Sequence, residues 1–131
     1  MSYENFGGDE WEGVITGVEV KPLREHIEDS ARLAKWGKYD EEARKKAEER
    51  GGTYVSAADA DHVILYVKPD AGSDYVKDFI VGRNPTSRSA FQRSNVKNIV
   101  LANKLPLNTG EWVGLKVRLR SNSEGFPELV K

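Results

Sequence analysis

The chain has no cysteine, which excludes a disulfide framework and a thiolate zinc site and is compatible with a reducing compartment. At 131 residues no such staple is needed, because a domain of this size buries roughly two thirds of its unfolded surface. No apolar run approaches the length that spans a bilayer. The first residues, Met1-Ser2-Tyr3-Glu4-Asn5-Phe6-Gly7-Gly8, have neither the basic start nor the apolar stretch of a secretory signal. The expectation is a cytoplasmic protein with no membrane partner. A Walker loop, G-x-S-x-G, H-E-x-x-H and a cysteine nucleophile are also missing, so the sequence reads as a binding protein and not an enzyme, with no cofactor.

What is present is a strand texture with one charged interruption. Trp11–Val20 sets Val14, Thr16, Val18 and Val20 against Ile15, Gly17 and Glu19, a period of two, with Gly13 and Gly17 suited to a bend or bulge. From Pro22, Leu23, Ile27, Ala31 and Ala34 fall at helical spacing and Gly37 supplies a stop. Asp40 suits an N-cap for a second helix, Glu41–Arg50, whose acids lead, whose bases trail and which ends on Gly51-Gly52. Charged blocks of this kind are usually a solvated face, and a protein-docking surface over residues 23–50 is the sharper alternative. His26 is expected to be exposed on it.

Strand texture returns at His62–Lys68, with Val63, Leu65 and Val67 on one face and His62, Ile64, Tyr66 and Lys68 on the other. A turn cluster from Pro69 to Asp74 leads to Tyr75–Val81 as the hairpin partner. A polar loop, Arg83–Arg93, precedes a helix from Ser94 or Asn95 to Leu105, although Lys97–Ala102 also reads as a strand. Glu111–Arg120 then alternates Val113, Leu115, Val117 and Leu119 inward against Gly114, Lys116, Arg118 and Arg120 outward, and Gly125–Val130 forms a last strand. The expected architecture is mainly β with added α: a single OB-like domain over 1–131, a five-stranded barrel with a helix between strands 3 and 4 and a charged helical insertion at 22–51 after strand 1.

Acid is the other scarce commodity, and only locally. Residues 1–22 carry net charge −4, 23–50 zero, 51–76 −3 and 77–131 +6. Phe79–Gly110 contains no Asp or Glu while holding Arg83, Arg88, Arg93, Lys97 and Lys104. Basic side chains interleaved with Ser, Thr, Asn and Gln suit phosphate oxygens, and Phe91 among them offers a face for base stacking. Lys116, Arg118 and Arg120 extend the basic surface, as do Tyr66 and Lys68, with Tyr75, Lys77 and Phe79 further candidates. For Phe79 a core role is the commoner outcome. The bland alternative for the acid-free stretch is a solvated polar loop whose arginines pair with the acidic front half. Asp59, Asp61 and His62 could hold a metal, but a turn entering a strand explains them better.

Ser94–Leu105 followed by Glu111-Trp112-Val113-Gly114-Leu115-Lys116-Val117-Arg118-Leu119 resembles a group of small phage-encoded OB-fold proteins, in which a helix leads to a Trp/Leu-x-Gly-x-x-Val strand. That group is similar to single-stranded-DNA-binding proteins of phage replication and recombination modules, and the resemblance implies nucleic-acid binding. The expectation is a sequence-tolerant single-stranded nucleic-acid-binding protein using Tyr66, Lys68, Arg83, Arg88, Phe91, Arg93, Lys116, Arg118 and Arg120. The alternative is a protein-interaction or assembly module, a virion or complex subunit docking through the insertion. A homo-oligomer is compatible with either.

Overall fold

The computed structural model describes residues 10–69, 76–121 and 127–130. Most of the expected turn at 69–74, Tyr75 and the start of the last expected strand, Gly125-Phe126, lie outside these residues. Five strands, β1 (Glu10–Pro22), β2 (Asp61–Pro69), β3 (Lys77–Arg83), β4 (Lys116–Ser121) and β5 (Pro127–Leu129), pair antiparallel in the order β3-β2-β1-β4-β5. They form a nearly closed antiparallel barrel, consistent with an OB-like barrel. The long β1 is its spine, pairing with β4 through Glu10–Val14 and with β2 through Gly13–Pro22.

A bulge in β1 sets which side chains face inward. Ile15 is opposite Val67 and Gly17 is opposite Tyr66, so Thr16 is the extra residue. Trp11, Gly13 and Ile15 point into the barrel before the bulge, and Val18 does so after it. Neither half of the strict alternation expected for this strand is therefore the inner one. Gly13 is required by proximity: a Cβ there would lie 2.5 Å from Val67 Cγ1. Around this spine, Val63, Leu65, Val67, Val81, Ile99, Trp112, Val117 and Leu119 form the main core, with Phe79 packed against it. Phe79 and Val81 thus settle which face of β3 is inside.

Between β1 and β2 the chain makes three helices where two were expected: α1 (Leu23–His26), α2 (Ser30–Trp36) and α3 (Asp40–Glu49). The break has a local cause. Asp29 turns its carboxylate onto the backbone N–H of Ala31 at 2.9 Å and so starts a new helix where the old one would have continued. The insertion runs on past residue 51 to Ala60. Leu23, Ile27 and Ala57 form a second small core with Leu33 of α2 and Ile80 of β3. Ile64, in register with Ile80, is fully buried, so β2 is covered on both faces.

Two further segments differ from their expected form. The segment Arg83–Arg93, read as loop, contains α4 (Arg88–Gln92), started by Ser87 Oγ accepting from the Ala90 N–H at 3.1 Å. α5 (Asn95–Asn103) follows, capped by Ser94 and burying Val96, Ile99 and Val100. The stretch expected to be strand from Glu111 instead holds a 3-10 turn, Thr109–Glu111, and becomes strand only at Lys116. Gly114 at φ +91 breaks the extension. Val113 and Leu115 are consequently exposed, at 57% and 38%, while Trp112 is fully buried and donates from Nε1 to the Pro106 carbonyl at 2.7 Å.

Candidate nucleic-acid interface

The nine nominated side chains fall in three places. On the outer face of β2, Tyr66 hydrogen-bonds the Glu19 carboxylate, which together with burial pushes the phenol up to about 12. Glu19 in turn is held below the usual carboxylate range by Tyr66 and by Lys21, whose Nζ is 3.0 Å away. The His26 ring stands edge-on to Tyr66, with centroids 6.2 Å apart. His26, expected to be exposed, is therefore a contact between insertion and barrel. Tyr66 lies under the insertion and shares its polar end with Glu19. The side chain of Lys68, exposed near the end of the same strand, has no hydrogen bond or ion pair among the described residues.

Arg83 is drawn into the same junction. Its guanidinium lies 4.9 Å from the centre of the Tyr54 ring, donates to the Val55 carbonyl at 2.8 Å and donates to Tyr54 Oη at 2.7 Å. Tyr54 itself donates to Asp40, which also accepts from the Ala57 N–H at 3.1 Å. Burial and the Asp40 carboxylate raise the Tyr54 phenol above its ordinary value. The arrangement fastens the insertion to the end of β3.

On β4 the acidic front of the chain meets the basic back. Lys116 pairs with Glu12 at 3.3 Å, Arg118 with Glu10 at 3.1 Å and Arg120 with Glu128 at 3.0 Å. The cause is register: antiparallel pairing sets Glu10 and Glu12 beside Arg120 and Arg118. Arg118 also donates to the Ala102 carbonyl at 2.6 Å, and its N–H donates to Asn103 Oδ1 at 2.7 Å. A cavity of about 410 Å³ lies here between β4 and the end of α5.

The third place is different in kind. Arg88 and Phe91, three residues apart on one face of α4, line a cleft of about 490 Å³. Asn84, Pro85 and Thr86, which precede them in the chain, and Leu107, Asn108 and Thr109, which follow α5, also line it. Among the described residues no acid lines this cleft. The Arg88 guanidinium, the Asn84 carboxamide and the Thr86 hydroxyl make no hydrogen bond or ion pair among the described residues. Arg93, just after α4, is exposed, and among the described residues its guanidinium donates only to the Ser89 carbonyl at 3.3 Å. The fold thus brings Arg88 and Phe91 together in one cleft, leaves Arg93 just after α4 and outside the cleft lining, and commits Tyr66, Arg83 and the β4 cations to partners elsewhere. The cleft residues Leu107 and Asn108 carry no sequence signal beyond lying in the acid-free stretch.

The Asp59, Asp61 and His62 group is a turn entering β2, with Asp61 and His62 the first residues of the strand. Asp59 accepts from Ser56 Oγ at 2.9 Å and pairs with Arg24 at 2.9 Å, and these two partners hold its carboxyl below the usual range. His62 is buried and bonds the Ala60 carbonyl through Nδ1 at 2.8 Å. Among the described residues no cluster of three or more His, Asp or Glu could hold a metal, and no helix is long and apolar enough to cross a membrane. No protein-family model, curated protein or solved structure matches this chain.

Proposed function

We propose that this protein binds single-stranded nucleic acid, DNA in the first instance, as an OB fold acting in the cytoplasm during replication or recombination. The strand order and the position of α4–α5 between the third and fourth strands support the OB assignment. The observation that carries the function is the acid-free cleft, where Phe91 packs on the core and the Arg88 guanidinium makes no bond among the described residues, beside the uncommitted Asn84 carboxamide and Thr86 hydroxyl. Phosphate contacts come from Arg88 and Arg93, and stacking from Phe91. The outer β2–β3 face, which an open OB barrel offers to a strand, is taken by the insertion here. Two phosphate contacts give a shallow salt dependence, a slope of about −1.4 in log K against log salt.

Fluorescence anisotropy with an oligonucleotide of about 25 nucleotides, longer than the roughly 4–16 an OB fold covers, tests this at two salt concentrations with duplex as control. Single-strand-selective binding that weakens and loses its salt slope in the Arg88→Ala/Arg93→Ala variant is the expected result. Absence of binding at low salt overturns the reading.

A second reading, assembly through the insertion as a complex or virion subunit, is favoured by one observation. Tyr39 is 67% exposed between two helices of the insertion, with Trp36 partly exposed nearby. Sedimentation of the native protein against Tyr39→Ser reveals any self-association through this surface.

A further inference from the structure

We infer that the α4 cleft is a single-nucleotide pocket, which seats one unpaired base between Phe91 and Leu107 and its phosphate at Arg88. The inference rests on the nucleic-acid reading and narrows it: the strand is gripped at one nucleotide, with base-dependent affinity, instead of along a track of cations.

Three surfaces compete for a ligand, and their hydrogen-bonding states separate them. The cavity beside β4 is lined by Lys104 and by polar groups already engaged: Lys116 with Glu12, Arg118 with Glu10 and Ala102, and Asn103 with the carbonyls of Ile99 and Val130 and the N–H of Arg118. An anion entering there must displace carboxylates that are already well placed. The outer β2–β3 face is closed by the second core and by the His26 and Tyr54 contacts. Of the three, the α4 cleft alone, among the described residues, combines space and an unengaged guanidinium with an acid-free lining.

Its contents match one nucleotide closely. About 490 Å³ lies within the range of about 300–1,000 Å³ typical of small-ligand sites. One cation, Arg88, answers one phosphate, and its planar fork suits bidentate contact with phosphate oxygens. Phe91 is held from behind by the main core, so a base meets a rigid aromatic face. The Asn84 carboxamide supplies both a donor and an acceptor for a base edge. Asn108 Oδ1 accepts from the Gly110 N–H at 2.9 Å, which orients its amide so that Nδ2 remains available to donate. Carboxamides read bases unequally, so the pocket discriminates among them.

The test is amide chemical-shift titration of the full chain with each of the four deoxynucleoside 5′-monophosphates, with unphosphorylated nucleosides and inorganic phosphate as controls, alongside the oligonucleotide assay. The expected result is perturbation centred on 84–91 and 107–109, with monophosphates binding more tightly than either control. Asn84→Ala is expected to narrow the differences among the four bases. Phe91→Leu, which keeps an apolar contact with the core while removing the aromatic face, is expected to weaken binding about tenfold. Oligonucleotide binding without cleft shifts from any monophosphate, or with shifts no larger than inorganic phosphate produces, overturns the pocket and leaves the wider reading standing. Monophosphate binding in the cleft without oligonucleotide binding does the reverse, and silence in both assays removes both.

Discussion

His26 donates from Nε2 to Asp78 Oδ2 across 2.7 Å, joining the first helix of the insertion to the outer face of β3. The residues are 52 positions apart in the chain, so the bond reports directly on whether the insertion is docked. Burial works against the Asp78 charge, but the His26 bond and its other favourable partners outweigh it and hold the carboxyl below its usual range. A carboxyl depressed in the folded state contributes stability above its unfolded value, about 3.9, which is lost as pH falls through the folded value. A double-mutant cycle of His26→Ala and Asp78→Asn at neutral pH is expected to give a coupling of about 1 kcal/mol, since Asp78 remains partly solvated. Asp78→Asn should also remove part of the acid limb of a denaturation profile. A coupling near zero means the insertion is held by its apolar contacts alone.

His62 supplies a second, separate pH effect. Burial lowers the imidazole below its ordinary value, and the bond to the Ala60 carbonyl only partly compensates. The Trp36 ring stands edge-on, with centroids 5.9 Å apart, and completes its enclosure. The unfolded chain takes up this proton first, near pH 6.5, so stability is full above that pH and declines as pH falls toward the lower folded value. Thermal melts across this window should therefore show a shallower loss for His62→Gln than for the native protein. Equal slopes for the two would place the proton elsewhere.

The strands were legible because apolar alternation and β-branched runs survive in any environment that buries one face. The insertion was legible as helical and charged, but its docking was not. Ile64 carried the missing signal: an apolar residue on the supposed outer face of β2 implies a second cover, and the run from Val63 to Leu65 has the continuous character of a strand buried on both sides. The Thr16 bulge defeated strict periodicity because one extra residue exchanges the two faces. Val113 and Leu115 are exposed and not inward for a related reason: Gly114 at positive φ interrupts what reads as an unbroken alternation. At the candidate site, the acid-free stretch pointed to Arg88 and Phe91. It did not reveal that Lys116 and Arg118 would meet carboxylates, because that depends on a pairing register between segments of the chain more than 100 residues apart.

That register yields a test that separates structural cations from binding ones. Arg118 joins Glu10, the Ala102 carbonyl and, through its own N–H, Asn103, so its side chain ties β1, β4 and the end of α5 together. Its ion pair is substantially exposed, and such pairs are worth about 0.2–1 kcal/mol, with the carbonyl bond adding a comparable amount. Arg118→Ala should therefore lower the midpoint of thermal unfolding measurably and leave the salt slope of oligonucleotide binding unchanged. Arg88→Ala, which removes no bond among the described residues, should do the opposite. If Arg118→Ala instead flattened the slope as much as Arg88→Ala, phosphate would have to be displacing Glu10 from the guanidinium. The strand would then run over β4, and the cleft would be one contact among several.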